Sequence, residues 1–424
     1  MLKRLLIGSI PLVAGVLAPQ VALAQAPPKT TIHVYRGLFG PTEVEENLPQ
    51  RLFFTFATYG AADDNTALGG TDIADEALQA QRFYQGAQAR LSLRRQRSRS
   101  LMNFEGSTSL RYYHGLHDVT TGQYGGSMDS QFITSPRVKF NVSAAGSYNP
   151  SYQVQPGLSS AAGPLPPADQ DFSVSRQRTL NYGGVGMMTI APTIHSEFVV
   201  TGGARYTQFI DADDFLSHSA GARFTHRMSR DFALVLGYST GLQGRSGLPG
   251  TRTQNIDAGV NYGRGLWLSP RTSIGFSTGS AIVSALDGRH FELTGSAFVK
   301  QQISARWTAQ ASVTRGLQAV DTAPRPFVGE IVTGTFGGYF SRRVAMRVSP
   351  SLSRGVDVAT ENGSYRSYAN TSRVEWAVSR FWALYAEHYY FHYRSTGLDL
   401  PGTAPALDRQ GLRTGLTLWA PLVR

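Results

Sequence analysis

The run VKFNVSAAGSY, residues 138–148, decides the fold. Val138, Phe140, Val142, Ala144, Gly146 and Tyr148 fall on one face of an extended chain, and Lys139, Asn141, Ser143 and Ser147 fall on the other. Successive side chains of a β-strand point to opposite sides, so the run has one apolar face and one polar face. The same alternation returns along the chain. Ala305, Trp307, Ala309, Ala311 and Val313 alternate with Ser304, Arg306, Thr308, Gln310, Ser312 and Thr314. Val344, Met346, Val348 and Leu352 alternate with Arg343, Arg347, Ser349, Ser351 and Ser353, and Leu412, Leu416, Leu418, Ala420 and Leu422 close the chain in the same way.

These runs reach about 11–15 residues, where strands of soluble proteins are commonly about 5–6 and an oblique bilayer crossing takes about 9–11. Tyr112, Tyr148, Tyr182, Tyr206, Tyr238 and Tyr262 stand near strand ends on the apolar faces, where interfacial aromatic girdles belong. The polar faces are too charged for the dry centre of a sandwich. Short turns recur near 97, 135, 192, 229, 270, 302, 342 and 380, many with Ser and Arg, and longer loops alternate with them. Short turns on the periplasmic side and long loops outside are the outer-membrane arrangement. Eight turns join eight strand pairs, and 51–59 and 410–422 supply one strand before and one after. The expected fold is therefore all-β, a transmembrane antiparallel up-and-down β-barrel of about eighteen strands. Without the two weakest runs, 51–60 and 124–134, the alternative is sixteen.

The chain has 424 residues, with 45 Gly and no Cys, so disulfide and thiol chemistry are excluded. Its charge is +11, and only four of the 40 basic residues are Lys (Lys3, Lys29, Lys139, Lys300), leaving 36 Arg. The Arg are spread singly rather than clustered in a recognisable module, which argues against nucleic acid as a partner. Residues 1–24 read as a cleaved secretory signal peptide: Lys3 and Arg4, an apolar stretch over 5–21, then Ala22-Leu23-Ala24. Residues 25–50 follow as a periplasmic N-terminal lead, and 51–424 as the barrel, with both barrel ends on the periplasmic side.

At this point the chain resembles the bacterial outer-membrane β-barrel, or porin-like, family. The resemblance covers most of the mature chain and rests on pattern rather than on a diagnostic motif. It implies residence in the bacterial outer membrane, contact with outer-membrane lipids, insertion by the barrel-assembly machinery, and passive transport, and it allows a homo-oligomer. Such barrels usually finish in an aromatic residue that the assembly machinery reads; this chain finishes Leu422-Val423-Arg424, with Trp419 its last aromatic.

With the apolar face against lipid, the polar face lines the interior. Parity puts fourteen basic residues inward: Arg94, Arg137, Lys139, Arg227, Arg306 and Arg343, and eight placed further from turns, Arg90, Arg111, Arg205, Arg223, Arg347, Arg373, Arg409 and Arg413. Those eight are the candidate lumen and anion-binding residues, since guanidinium holds its charge and grips oxyanions through a planar fork. Five acids go inward with them: Glu105, Glu197, Asp257, Glu292 and Glu375. Strands 327–340 and 381–396 mix apolar and polar residues on both faces and permit no assignment. Other acids group in loops: Asp63, Asp64, Asp72, Asp75 and Glu76 in the first, Asp169 and Asp171 in the Pro-rich stretch, and Asp211, Asp213 and Asp214 in another. The longest loop, 150–178, is third on the outer side, the place from which many porins narrow their pore.

His388 and His392 share a strand face, and His114 and His117 flank a loop, without the partners of a metal site. No nucleophile elbow, zinc motif or phosphate loop stands in a suitable context. The expectation is no enzyme, no catalytic residue, no metal and no cofactor. The leading reading is a channel for small, preferentially anionic solutes. The alternatives are an exit channel for an acidic exopolysaccharide, which resembles alginate-type exporters in strand number and Arg-rich interior, and a plugged structural or adhesive barrel.

Overall fold

The computed structural model describes residues 49–64, 83–113, 119–150, 152–153, 173–175, 178–210, 213–229, 232–245, 250–262, 271–285, 288–318, 327–358, 363–397 and 406–423. They form twenty strands: β1 Gln50–Asp63, β2 Phe83–Arg97, β3 Ser100–Tyr113, β4 Val119–Ser135, β5 Val138–Asn149, β6 Tyr152–Gln153, β7 Ser173–Ser175, β8 Thr179–Ile190, β9 Ser196–Phe209 and β10 Phe215–Arg227. The second half continues with β11 Phe232–Arg245, β12 Thr251–Tyr262, β13 Thr272–Ala285, β14 Gly288–Gln302, β15 Trp307–Gln318, β16 Phe327–Tyr339, β17 Val344–Asp357, β18 Ser364–Ala377, β19 Trp382–Thr396 and β20 Ala406–Val423. β6 and β7 make a separate two-stranded ribbon; the other eighteen form one sheet.

Every strand of that sheet pairs antiparallel with its sequence neighbour, and β1 hydrogen-bonds both β2 and β20. The sheet is therefore a closed eighteen-strand barrel in which every strand has a partner on each side, residues 288–294 of β14 pairing with β13 alone. Eighteen strands replace the sixteen-strand alternative, because both weak runs are full members: β1 pairs over its whole length on both sides, and β4 pairs with β3 and β5. Six of the eight expected short turns connect consecutive strands where the sequence placed them; the turn near 229 is described only in part, and most of the one near 270 lies outside the described residues. The signal peptide, nearly all of the 25–50 lead, and Arg424 also lie outside them.

The turns hold their shape by one device. Ser135 Oγ accepts a hydrogen bond from the Arg137 amide, Ser304 Oγ from that of Arg306, Ser341 Oγ from that of Arg343, and Ser379 Oγ from those of Phe381 and Trp382. A hydroxyl two residues before an amide satisfies the donor that the departing strand leaves open. This is the physical content of the recurring Ser–x–Arg and Ser–x–Phe signatures.

Register separates the two faces. Leu91, Phe104, Phe140, Tyr182, Phe224, Leu236, Ile256, Phe276, Leu352 and Leu384 are among the large apolar side chains exposed on the outside. Trp307 stacks on Phe336 and meets Phe340 edge-on near the short-turn end. Tyr124 with Tyr148, Tyr182 with Tyr206, and Tyr368 with Tyr390 pair toward the long-loop end. An outer wall of exposed hydrocarbon between two aromatic zones suits lipid and not water. Inside, bulky rings lie over glycines on the neighbouring strand. A Cβ at Gly415 would come within 2.8 Å of Tyr59 Cβ and 2.9 Å of Tyr385 Cε1, and one at Gly86 or Gly411 would overlap the ring of Tyr59 or Tyr389. These glycines are required by close approach.

Gly415→Val should therefore cost about 1–3 kcal/mol through overpacking, read as a lower urea midpoint of the folded band in heat-modifiability gels. Gly60→Ala, where nothing lies within 4 Å of the added carbon, should leave the midpoint unchanged or slightly raised. Equal losses in the two variants would contradict the packing account.

Candidate functional site

The inner wall is the candidate site, and the register assigns its residues. Among the described residues, thirteen basic side chains stand at inward positions: Arg51, Arg90, Arg94, Arg111, Lys139, Arg205, Arg223, Arg227, Lys300, Arg347, Arg373, Arg409 and Arg413. Nine acids join them: Asp63, Glu105, Asp129, Glu197, Asp257, Glu292, Asp357, Glu375 and Glu387. The sequence led to fourteen against five. Arg137, Arg306 and Arg343 sit in the short turns rather than in strands, and four acids had been missed. The inward excess falls to four.

At least five of the eight candidate arginines reach a carboxylate. Arg90 Nη2 lies 2.6 Å from Glu105 at a pair open to solvent, and Arg223 Nη2 lies 3.4 Å from Asp257. Arg373 bonds Glu375 at 2.6 Å and Glu387 at 3.4 Å, and lies 4.1 Å over the ring of Tyr385. Arg413 shares Glu387 from the other side at 3.4 Å and packs over Tyr389 and Tyr59. Arg409 binds Asp63 at 2.6 Å with both side chains buried, and the Tyr389 hydroxyl donates to the same carboxylate. The other three are placed differently. Arg111 stacks over Tyr84, Arg205 stands opposite Gly183 and Ser217, and Arg347 is exposed beside Arg373 near the short-turn end.

Two sequence assignments are corrected here. Asp63 is not a loop acid: it ends β1, faces inward and is buried. Strand β19, which permitted no assignment, carries Glu387 inward between Arg373 and Arg413, directly opposite both in register. Parity was unreadable there because Tyr385, Tyr389, Phe391 and Tyr393 fill the inner face while Tyr390 and His392 occupy the outer one. The flanking arginines were the available signal. The loop acids Asp72, Asp75, Glu76, Asp169, Asp171 and Asp211 lie outside the described residues, as do His114, His117 and most of the 150–178 loop.

Buried inward residues are commoner toward the long-loop end of the inner wall, although Arg51, Val199, Val235, Ala377, Ala383 and Trp419 are buried toward the short turns. At the long-loop end, inward residues are buried on fourteen of the eighteen strands among the described residues, including Tyr84, Tyr113, Asn149, Phe209, Phe215, Val283, Phe327, Tyr365, Phe391 and Leu407. Toward the short turns, Arg90, Asp129, Lys139, Lys300 and Arg347 are exposed and Arg94, Glu197 and Arg223 half-buried. Solvent-exposed charged side chains thus lie on the short-turn side of a level rich in buried aromatic residues.

Solved structures of similar fold include OpdQ of Pseudomonas aeruginosa (9% identity, 88% of this chain and 98% of that one, TM-score 0.46) and OccAB1 of Acinetobacter baumannii (9% identity, 88% and 97%, TM-score 0.43). The siderophore receptor PirA from Pseudomonas aeruginosa is another (10% identity, 87% and 80%, TM-score 0.42). No protein-family model matches the chain, and no curated protein matches it in sequence.

Glu387 holds the buried guanidinium of Arg413 and the half-buried one of Arg373, so Glu387→Gln should cost about 3–5 kcal/mol, the loss expected when one partner of a buried ion pair is removed. Arg90→Gln, at a solvent-open pair, should cost under about 1 kcal/mol. Urea unfolding of both variants in the same detergent reads the contrast, and comparable midpoints would refute the assignment of Glu387 as the anchor of that wall.

Proposed function

We propose that the protein is an outer-membrane channel for passive diffusion of small solutes, with a preference for anions set by the exposed charges on its short-turn side. The observation that carries this reading is the residual positive charge of the inner wall, thirteen basic against nine acidic positions. Fixed charge on low-dielectric walls focuses the field, attracts counter-ions and repels co-ions. The exposed Lys139, Lys300 and Arg347 all stand on that side. By contrast, Arg409 and Arg413 are matched by buried acids. They act as struts of the wall, and the field comes from the others. Arg373, which shares Glu387 and Glu375, contributes less than an unpaired cation would.

A second reading draws on the buried level at the long-loop end. A barrel whose inward residues are buried there on fourteen strands is also what a plugged structural or adhesive barrel requires. Single-channel recording separates the two. Reconstituted protein in a planar bilayer with a KCl gradient should show discrete conductance and a reversal potential displaced toward that of chloride. Lys139→Glu combined with Arg347→Glu should move it toward potassium. A cation-selective wild type would sink the anion preference, and absence of any conductance would leave the plugged barrel standing.

A further inference from the structure

Five charged residues stand side by side across the outer wall. Arg315 of β15 is opposite Glu330 of β16, Glu330 opposite Arg354 of β17, Arg354 opposite Arg366 of β18, and Arg366 opposite Arg394 of β19. Their register places them outward: Val332, Leu352 and Tyr368, two positions along the same strands, are exposed apolar side chains of the outer face. Glu330 neutralises the first part of the row, at 2.8 Å from Arg315 and 2.6 Å from Arg354. Arg366 and Arg394 are exposed and form no ion pair among the described residues. The nearby acid, Asp408, is engaged by His392 and Tyr390. Like charges directly opposite on paired strands destabilise a sheet, and here three guanidiniums follow one another without an acid between them.

Height explains who can compensate them. Arg315 stands eight residues from the short-turn end of its strand, Arg354 ten, Arg366 eleven and Arg394 twelve. At about 3.4 Å per residue and a tilt of about 40°, these are heights of about 21, 26, 29 and 31 Å, against an apolar band about 25 Å tall. The deepest cation, Arg315, meets two acids, Glu330 and Glu292, whereas Arg354 shares Glu330. The others rise into the headgroup zone on the long-loop side, which is the outer leaflet.

We infer that Arg354, Arg366 and Arg394 form a binding site on the outer wall for the phosphates of an outer-leaflet lipid whose headgroup carries more than one phosphate. Strands lie about 4.8 Å apart, so the three guanidiniums spread over about 10 Å, more than one phosphodiester fills. Arg366 and Arg394 each present a planar fork suited to phosphate oxygens, and Arg354, whose Nε and Nη2 are held by Glu330, flanks them. Acyl chains of the same lipid would lie on Val332 and Leu352 below. This site rests on the membrane reading of the barrel and is independent of what passes through it.

The test is native mass spectrometry of the full-length protein in detergent with diphosphoryl lipid A, its monophosphoryl form, and phosphatidylglycerol. The wild type should retain the diphosphoryl lipid best, and R354Q/R366Q/R394Q should retain about tenfold less, as expected from the loss of charge-assisted bonds. Heat-modifiability gels confirm that the variant is folded; if it is not, single R366Q and R394Q variants give the same reading. Equal retention by wild type and variant, or equal retention of phosphatidylglycerol, overturns the site. Conductance of the same samples keeps the two proposals apart. A conducting wild type that holds no lipid A removes this site alone, and a lipid-holding protein without conductance removes the channel alone.

Discussion

A backbone crossing hydrocarbon finds no water to bond its amides and carbonyls, and an unpaired group there costs several kcal/mol. Closure of β1 onto β20 is the answer to that constraint, and the other features depend on it. Once the sheet closes on itself, each residue has only two addresses, lipid or interior. The alternating pattern then becomes a partition of chemistry. Glycines opposite Tyr59, Tyr385 and Tyr389 let the wall accept large rings at close strand spacing, and serines at the short turns satisfy the amides that the ladders leave behind.

Inside, charge is handled in two ways according to water. Where the wall is dry, guanidiniums are locked to acids and stacked on tyrosine faces, as in Arg409 with Asp63 and Arg413 with Glu387 and Tyr389. A buried charge without such partners would be untenable. Where the wall is wet, Lys139, Lys300 and Arg347 stand exposed. The division bears on function because a compensated cation lends little to the field felt by a passing ion. Outside, the same logic appears in reverse: Arg315 is paired at the depth of hydrocarbon, while Arg366 and Arg394 extend toward headgroups.

The barrel was legible in the sequence to an unusual degree, because a period of two survives in nearly every strand and the Ser–Arg turns punctuate it. The weak runs 51–60 and 124–134 were weak for physical reasons. Arg51–Tyr59 has phenylalanines on both parities, and 124–134 is interrupted by glycines and a bulge between Ile133 and Ser135. The candidate site was legible only in part. Parity gave the face of Arg205, Arg223 and Arg413, whereas Glu387 was hidden in a strand with aromatic residues on both sides, and Asp63 was hidden by its position at a strand end.

By itself, then, the sequence determined the class of the molecule: alternation decides which side chains meet oil, because a strand has only two faces and oil accepts only one kind. Which charges stand alone was decided by the tertiary structure. Whether an arginine is a strut, a field source or an anchor for lipid depends on what lies opposite in register and on how much water reaches it. Neither quantity is local: register is set by the ring of eighteen strands closing on itself, and water access by everything that fills the interior.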